Sequence, residues 1–481
     1  MWTRVWFIVA GLFVLLSAEP GPAQASRQDA TTLSRPPAAR AFVTTAAPCL
    51  TPERLGVEIA RLAGAHPKAV SIETIGTSFQ GREIRMVSIG RGPKSILLWS
   101  QMHGDEPTAT PALLDLADYF AREAATPGIA RILDAFTLRM IPMLNPDGAA
   151  RYERRNAQGI DINRDALMLA TPEGRLLKSI RDRFSPILGF NLHDQGRRVT
   201  VGDTGVLSSI SLLAVAGDEK GTMTPGRLRA KRVASRIVRV LTPFIPGGIA
   251  RYDEDWNSRA FGDNITAWGS PVVLIESGGF PKSGGFRDLT HLNLVALTSI
   301  LDGLARDDLA DETPELYDNL QRNRPDAYAD IALIGASILE PRTGKWFEAD
   351  LAFDIVSSDQ AIAGCTPSAR AGSRIVEVGD SRVVRPGRNI DGREMIVAPL
   401  SRDRGFKPGE ISRETLMAAG RGAPSPSTEP RDLLSALRLS DTGLVRNGAA
   451  TFVAWIRDPG GEPGGRYYAV IDGVGLPDAL R

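Results

Sequence analysis

The chain predicts an α/β fold, a mixed sheet flanked by helices, with a smaller β-rich carboxy-terminal domain behind it. Three observations carry this reading. From residue 51 to about residue 305, apolar runs of strand length alternate with stretches of helical periodicity, the pattern of a layered α/β domain. Beyond residue 324 the texture changes to short β-branched runs with turn residues between them. Three of the earlier strand-like runs end in a histidine or a glutamate, at the carboxyl edge where open α/β sheets hold their ligands.

Taken in order, residues 1–25 (MWTRVWFIVAGLFVLLSAEPGPAQA) combine Arg4, an apolar stretch over 5–16 and the small-x-small exit Ala23-Gln24-Ala25. That is the pattern of a secretory signal peptide cut after Ala25, which places the mature chain in a secreted or periplasmic setting. The apolar stretch is too short for a comfortable span, so no permanent membrane anchor is expected. Residues 26–50, rich in Ala, Pro, Ser and Thr, read as a linker. A capped helix near 52–62, strands near 71–75 and 84–89, and a strand over 95–102 follow. A helix from about Pro107 carries Ala112, Leu113, Leu116, Ala117 and Phe120 on one face. A strand over 136–144 and a turn at Asn145-Pro146-Asp147-Gly148 come next. Helices near 172–184, 227–241 and 286–304 interleave with the runs ending at His193 and Glu276.

The charged stretch 306–324 leads into the β-rich part, residues 328–481. Its runs lie at 331–339, 346–355, 373–384, 451–456 and 467–471. Helix-prone patches at 414–419 and 431–437 and a loop at 422–430 interrupt them. No catalytic motif or repeat occurs there, so packing or substrate presentation is the expected role.

Composition excludes some functions. With 481 residues, 43% of them hydrophobic, the chain has material for two domains, and a formal charge of +1 gives no reason to expect nucleic acid or an anionic surface as partner. Cys49 and Cys365 are the only cysteines, which excludes a disulfide-rich scaffold. A single bridge between them and two separate thiols both remain open.

The chemistry gathers at the strand ends. SILLWSQMHGDEPT (95–108) closes on His103-x-x-Glu106, GFNLHDQG (189–196) on His193, and PVVLIESGG (271–279) on Glu276. Two imidazoles and a carboxylate fill three corners of a zinc tetrahedron and leave the fourth for water, the arrangement of a catalytic site. A second carboxylate beside that water can act as general base. Each part alone has a plain explanation: a chance His-x-x-Glu, a hydrogen-bonded core histidine, a carboxylate in a structural ion pair. Together, in a chain with four histidines, they point to a zinc hydrolase. Between them, NPDGAARYERRNAQGIDINRD (145–165) concentrates Arg151, Arg154, Arg155 and Arg164, which reads either as an anion-binding wall or as a solvated basic loop.

His103-x-x-Glu106, NPDG, GIDINRD (159–165), His193 in NLH and Glu276 in LIES resemble the M14 family of zinc metallocarboxypeptidases in motif and in order. The likeness covers roughly residues 55–305, with Asn163-Arg164-Asp165 standing where the family usually has Asn-Arg-Asn. It implies a carboxypeptidase-like α/β fold over 51–310, and one Zn²⁺ per chain held by His103, Glu106 and His193. It further implies that Glu276 activates water, that Arg154 polarises the scissile carbonyl, and that Asn163 and Arg164 grip the substrate's terminal carboxylate. Asp161 would fix a zinc histidine from behind. Tyr252, the only tyrosine between His193 and Glu276, is the candidate for the family's mobile tyrosine.

The expected activity is removal of single residues from peptides with a free carboxyl end. Two alternatives stand beside it: an amidase or peptidase acting on cell-wall peptides, and a non-catalytic peptide-binding relative. The acidic cluster Asp253, Glu254 and Asp255 beside Tyr252 suggests basic side chains in the specificity pocket, or a solvated loop.

Overall fold

In a computed structural model, the structure describes residues 50–252, 255–280, 285–325, 327–340, 345–356, 372–391, 396–399, 452–457 and 467–471. Residues 1–49, which hold the expected signal peptide and all but the last residue of the expected linker, lie outside the described residues, as do both cysteines, Asp253, Glu254 and the 414–437 patches. Among the described residues no helix is long and apolar enough to cross a membrane.

Helix α1 (Pro52–Ala65) leads into strands β1 (Val70–Thr77), β2 (Glu83–Ile89) and β3 (Lys94–Ser100). Then come α2 (Ala109–Arg122), α3 (Pro127–Ala135), β4 (Phe136–Ile141), α4 (Pro146–Arg151), α5 (Pro172–Phe184), β5 (Leu188–Asp194) and the short β6 (Thr200–Val201). The unit closes with β7 (Ile210–Ala214), α6 (Pro225–Leu241), β8 (Ile249–Arg251), α7 (Phe261–Ala267), β9 (Val272–Ser277) and α8 (Gly285–Arg306). Thr-Pro pairs start several of these helices: Thr51, Thr171 and Thr224 each accept a backbone N–H at the first turn, with proline at the next position. Each such cap is worth about 1 kcal/mol.

The eight strands form one mixed sheet in the order β1-β2-β4-β3-β5-β9-β7-β8. Strands β4, β3, β5 and β9 run parallel at its centre, and the antiparallel partners lie toward the edges. Strand alternation divides the core. Leu98, Phe190, Leu192 and Ile275 face α2, α6 and α8, while Leu97, Trp99, Leu213 and Leu274 face α7 and the Ile180 side of α5. The mixed sheet flanked by helices matches the expectation.

Several elements depart from the sequence reading. Asn145 to Gly148 is a helix start: Asn145 caps α4 through Oδ1 to the Gly148 N–H at 2.9 Å, with Pro146 at the first position. Helices α3 and α7 and strands β7 and β8 were not anticipated, because all four are short and their apolar residues do not repeat long enough to show a period. Helix α2 begins at Ala109, two residues after Pro107.

After α8 come the short helix α9 (Glu315–Asp318), β10 (Asn323–Arg324), β11 (Tyr328–Glu340), β12 (Lys345–Val356), β13 (Gly372–Gly379), β14 (Arg385–Asp391), β15 (Ile396–Pro399), β16 (Phe452–Arg457) and β17 (Tyr467–Ile471). They form a second sheet ordered β13-β12-β11-β15-β16-β17, with β14 also paired to β11, while β10 pairs with β6 of the first unit. The β-rich texture is as expected. Strands β14 and β15 are additions, and the end of the 373–384 run folds instead as a short 3-10 turn over Ser381–Val383.

Candidate metal centre

The site stands at the carboxyl ends of β3, β5 and β9. His193 and Glu276 are register partners on β5 and β9, so adjacent parallel strands present them side by side on one face. His103 and Glu106 come from the turn that follows β3. Gln101, just before it, holds φ at +50°, a conformation few non-glycine residues adopt, and is fixed there by Thr110 Oγ1 donating to its Oε1 at 2.8 Å and by its own Nε2 donating to Gly104 O at 3.0 Å. Gly104 must be glycine: a Cβ there would meet the Gly148 carbonyl carbon at 2.1 Å. The HGDE and NPDG segments are therefore packed backbone against backbone. Asp147 secures the second of them, accepting from Ser78 Oγ at 2.8 Å and Arg82 Nη1 at 2.7 Å in full burial.

The polar atoms converge. Glu106 Oε1 lies 2.7 Å from His103 Nδ1 and Oε2 lies 2.6 Å from His193 Nδ1, while the two Nδ1 atoms are 3.2 Å apart. All three side chains are buried, with ligand atoms within 4.8 Å of one another. His103 turns its other nitrogen to Asp161 Oδ1 at 3.0 Å, and Asp161 accepts from Arg154 Nε at 3.1 Å. Donation from His103 Nε2 to a carboxylate leaves a lone pair on Nδ1, the tautomer a metal ligand needs. Two imidazole nitrogens and a carboxylate with lone pairs aimed at one point fit a divalent zinc-type cation. With Nδ1 unprotonated, protein groups alone would set its lone pair against Glu106 Oε1 at 2.7 Å, acceptor against acceptor, an opposition a cation between them relieves.

Charge follows this geometry. Burial works against ionisation of Glu106, yet the facing His103 and His193 together hold it far below the usual carboxylate range. Asp161 is likewise pushed down, its His103 contact outweighing burial. Glu276 moves the other way: burial, with Glu106 and Asp194 nearby, raises its proton affinity well above normal. Two neighbouring carboxylates thus take opposite protonation tendencies.

The remaining candidates sort as follows. Arg154 reaches the centre, with Nη1 at 3.1 Å from Glu106 Oε1 and Nη2 at 3.0 Å from Asp161. Asn163 accepts the Phe261 N–H at 2.9 Å through Oδ1 and so ties the turn after Asp161 to α7. Arg164 is part-buried and donates to Asn163 O at 2.7 Å. Tyr252 is brought to the site: the charge of Glu276, then burial, pushes its hydroxyl pKa up. The basic wall is narrower than the sequence suggested, because Arg151 pairs with Glu153 and Arg155 donates to Gly159 O, both at exposed positions. Asp255 is exposed.

Sequence reasoning passed over Asp194 and Tyr152. Asp194 accepts from Thr108 N at 3.1 Å and Oγ1 at 2.7 Å, and burial beside Glu106 raises its pKa to about 8. Tyr152 takes a left-handed backbone at the end of α4, and burial, with Asp194 and Asp105 near, raises its pKa. Adjacency to His193 was the only available signal for Asp194.

Residues 57–172 match the zinc carboxypeptidase family, Peptidase_M14. The chain is 31% identical over 103 residues to a probable carboxypeptidase 2 of Trichophyton verrucosum, covering 21% of this chain and 20% of that protein. It is 30% identical over 127 residues to carboxypeptidase Z of Homo sapiens, covering 22% and 20%. The chain thus spans about a fifth of the length of the curated relatives it matches. Among solved structures, a metallo-carboxypeptidase from Pseudomonas aeruginosa in complex with (2-guanidinoethylmercapto)succinic acid aligns over 54% of this chain and 70% of that one, at 21% identity and a TM-score of 0.44.

Proposed function

We propose that this chain, which carries an M14 zinc carboxypeptidase domain, hydrolyses the last peptide bond of peptides with a free carboxyl end, in a secreted or periplasmic setting. The observation that carries the proposal is the convergence of His103, Glu106 and His193 beside the buried, proton-avid Glu276.

One Zn²⁺ would be held by His103, Glu106 and His193. When bound, zinc supplies a water acidified toward a pKa of about 7 and a Lewis acid for a carbonyl oxygen. Glu276 takes a proton from the attacking water and returns it to the leaving amine nitrogen. Its raised proton affinity suits a group that must do both. Asp161 holds His103 in one tautomer and also orients Arg154, whose guanidinium offsets charge developing on the carbonyl oxygen. Arg164, with Asn163 Nδ2, pairs with the substrate's terminal carboxylate. Tyr252, beside Glu276, closes over the bound end of the peptide. Residues 328–481 serve packing or substrate presentation.

The test compares N-blocked peptides with free and amidated carboxyl ends, before and after chelation and zinc return. Cleavage of free-ended peptides alone, lost on chelation and restored by zinc, is expected. Equal cleavage of both peptide types removes the exopeptidase reading, and activity that ignores chelation removes the metal.

A further inference from the structure

The sheet face that presents His193 and Glu276 carries a second layer one step down the strands. Two residues earlier on β5 and β9 stand Asn191 and Leu274, register partners of each other. Trp99 pairs with Asn191 from β3, and Leu213 pairs with Leu274 from β7. Successive residues on one face of a strand are about 7 Å apart, so this layer lies one side-chain length beneath the catalytic groups. Three of its members are apolar. The fourth is an amide, 1% exposed, whose Oδ1 and Nδ2 both lack a hydrogen-bond partner.

A buried carboxamide with neither atom satisfied is unfavourable and calls for an explanation. Exchanging its O and N assignments does not help, since both positions are bare. The surroundings supply no partner: α7 covers the amide with Gly262, where even an added Cβ would stand 3.4 Å from Nδ2. Within the layer, Leu213 and Leu274 keep 9% and 7% exposure while Trp99 has none, so its less enclosed side is that of β7 and β9. A group reaching one layer down this sheet face from His193 and Glu276 would come beside Asn191.

We infer that Asn191 is the specificity-determining residue at the floor of the pocket for the side chain of the cleaved residue, and that it selects a carboxamide, as in terminal glutamine or asparagine. The inference rests on the carboxypeptidase reading and deepens it. Only a group offering both a donor and an acceptor satisfies both atoms of the Asn191 amide. An ammonium leaves Nδ2 bare, a carboxylate leaves Oδ1 bare, and an aliphatic chain leaves both.

The experiment measures kcat/KM on N-acetylated dipeptides differing only in the last residue: Gln, Asn, Leu, Phe, Lys and Glu. Wild type should favour Gln or Asn over Leu by at least about tenfold. Asn191→Leu should reverse that order, and Asn191→Asp, which keeps the shape but loses the donor, should shift preference toward Lys, both with zinc content unchanged. Calorimetric binding of N-acetylglycyl-glutamine and N-acetylglycyl-leucine to Glu276→Gln protein provides a readout without turnover, and the same ratio is expected. A wild-type preference for Leu, Phe or Lys overturns the inference, as does a ratio that neither Asn191 substitution moves, the result if the amide holds only a structural water. Absence of hydrolysis across the series, with the binding ratio intact, overturns the carboxypeptidase reading instead.

Discussion

Arg198 Nε lies 3.2 Å from Asp354 Oδ2, with side chains 13% and 5% exposed, and this pair ties the loop leaving β5 to strand β12 of the second sheet. The same loop follows His193 and Asp194 at the end of β5, and Gln195 at its start accepts from Asn323 Nδ2 at 3.2 Å at the entry to the second unit. The segment that delivers a candidate metal ligand is therefore anchored on both units. Removing one partner of a buried pair leaves the other charge uncompensated, at a cost of about 3–5 kcal/mol. Asp354→Ala should lower unfolding stability by that order in denaturant titration. A change under about 0.5 kcal/mol, the level of a surface substitution, would show that the pair does not join the units.

Glu276→Gln keeps the shape of the side chain but cannot accept a proton. Turnover should fall by about 10² to 10⁴ while bound zinc stays at the wild-type level. His103→Ala should instead lose both zinc and activity, since two protein ligands remain. Kinetics paired with metal analysis of both variants separates the roles; turnover of Glu276→Gln within a few-fold of wild type would place the base elsewhere.

Arg164→Ala should weaken turnover of free-ended peptides by roughly 2 to 5 kcal/mol, the range for truncating one partner of a buried charge pair. Amidated peptides lack the partner, so their slow cleavage should change little. An equal loss on both would assign Arg164 to the fold.

Asp263, on the first turn of α7, accepts the Asn257 N–H at 2.9 Å, and burial raises its pKa to about 6. A raised carboxyl pKa means that the folded state binds the proton more tightly than the unfolded chain. Stability from this group is thus full below the ordinary carboxyl range and declines as pH climbs to about 6, by at most about 1.4 kcal/mol per pH unit. Melting temperatures between pH 3.5 and 7 should show that decline in wild type and lose its Asp263 component in Asp263→Asn. Identical pH profiles would count against it.

Legible along the chain were the candidate residues carried by continuous segments. HGDE, NLH and LIES are each short, each closes an apolar run, and parallel strands on one sheet must bring their carboxyl ends to one edge. That logic singles out His103, Glu106, His193 and Glu276 as candidates, and in the fold they stand at one sheet edge. Long, strongly periodic helices such as Pro172–Phe184 were legible for the same reason.

Which of several similar residues reach the site depends on packing between segments distant in the chain. Arg151, Arg154, Arg155 and Arg164 look alike along the chain, yet Arg154 alone of the first three reaches Glu106 and Asp161, while Arg151 pairs with Glu153 and Arg155 donates to Gly159 O. Asn191 reads as one polar residue in an apolar strand until pairing with Trp99 and Leu274 shows that nothing satisfies it. Asp194 gains its proton affinity from burial beside Glu106, a residue 88 positions away. Desolvation and pairing depend on neighbours that the chain brings together only on folding, so composition and spacing carry no trace of them.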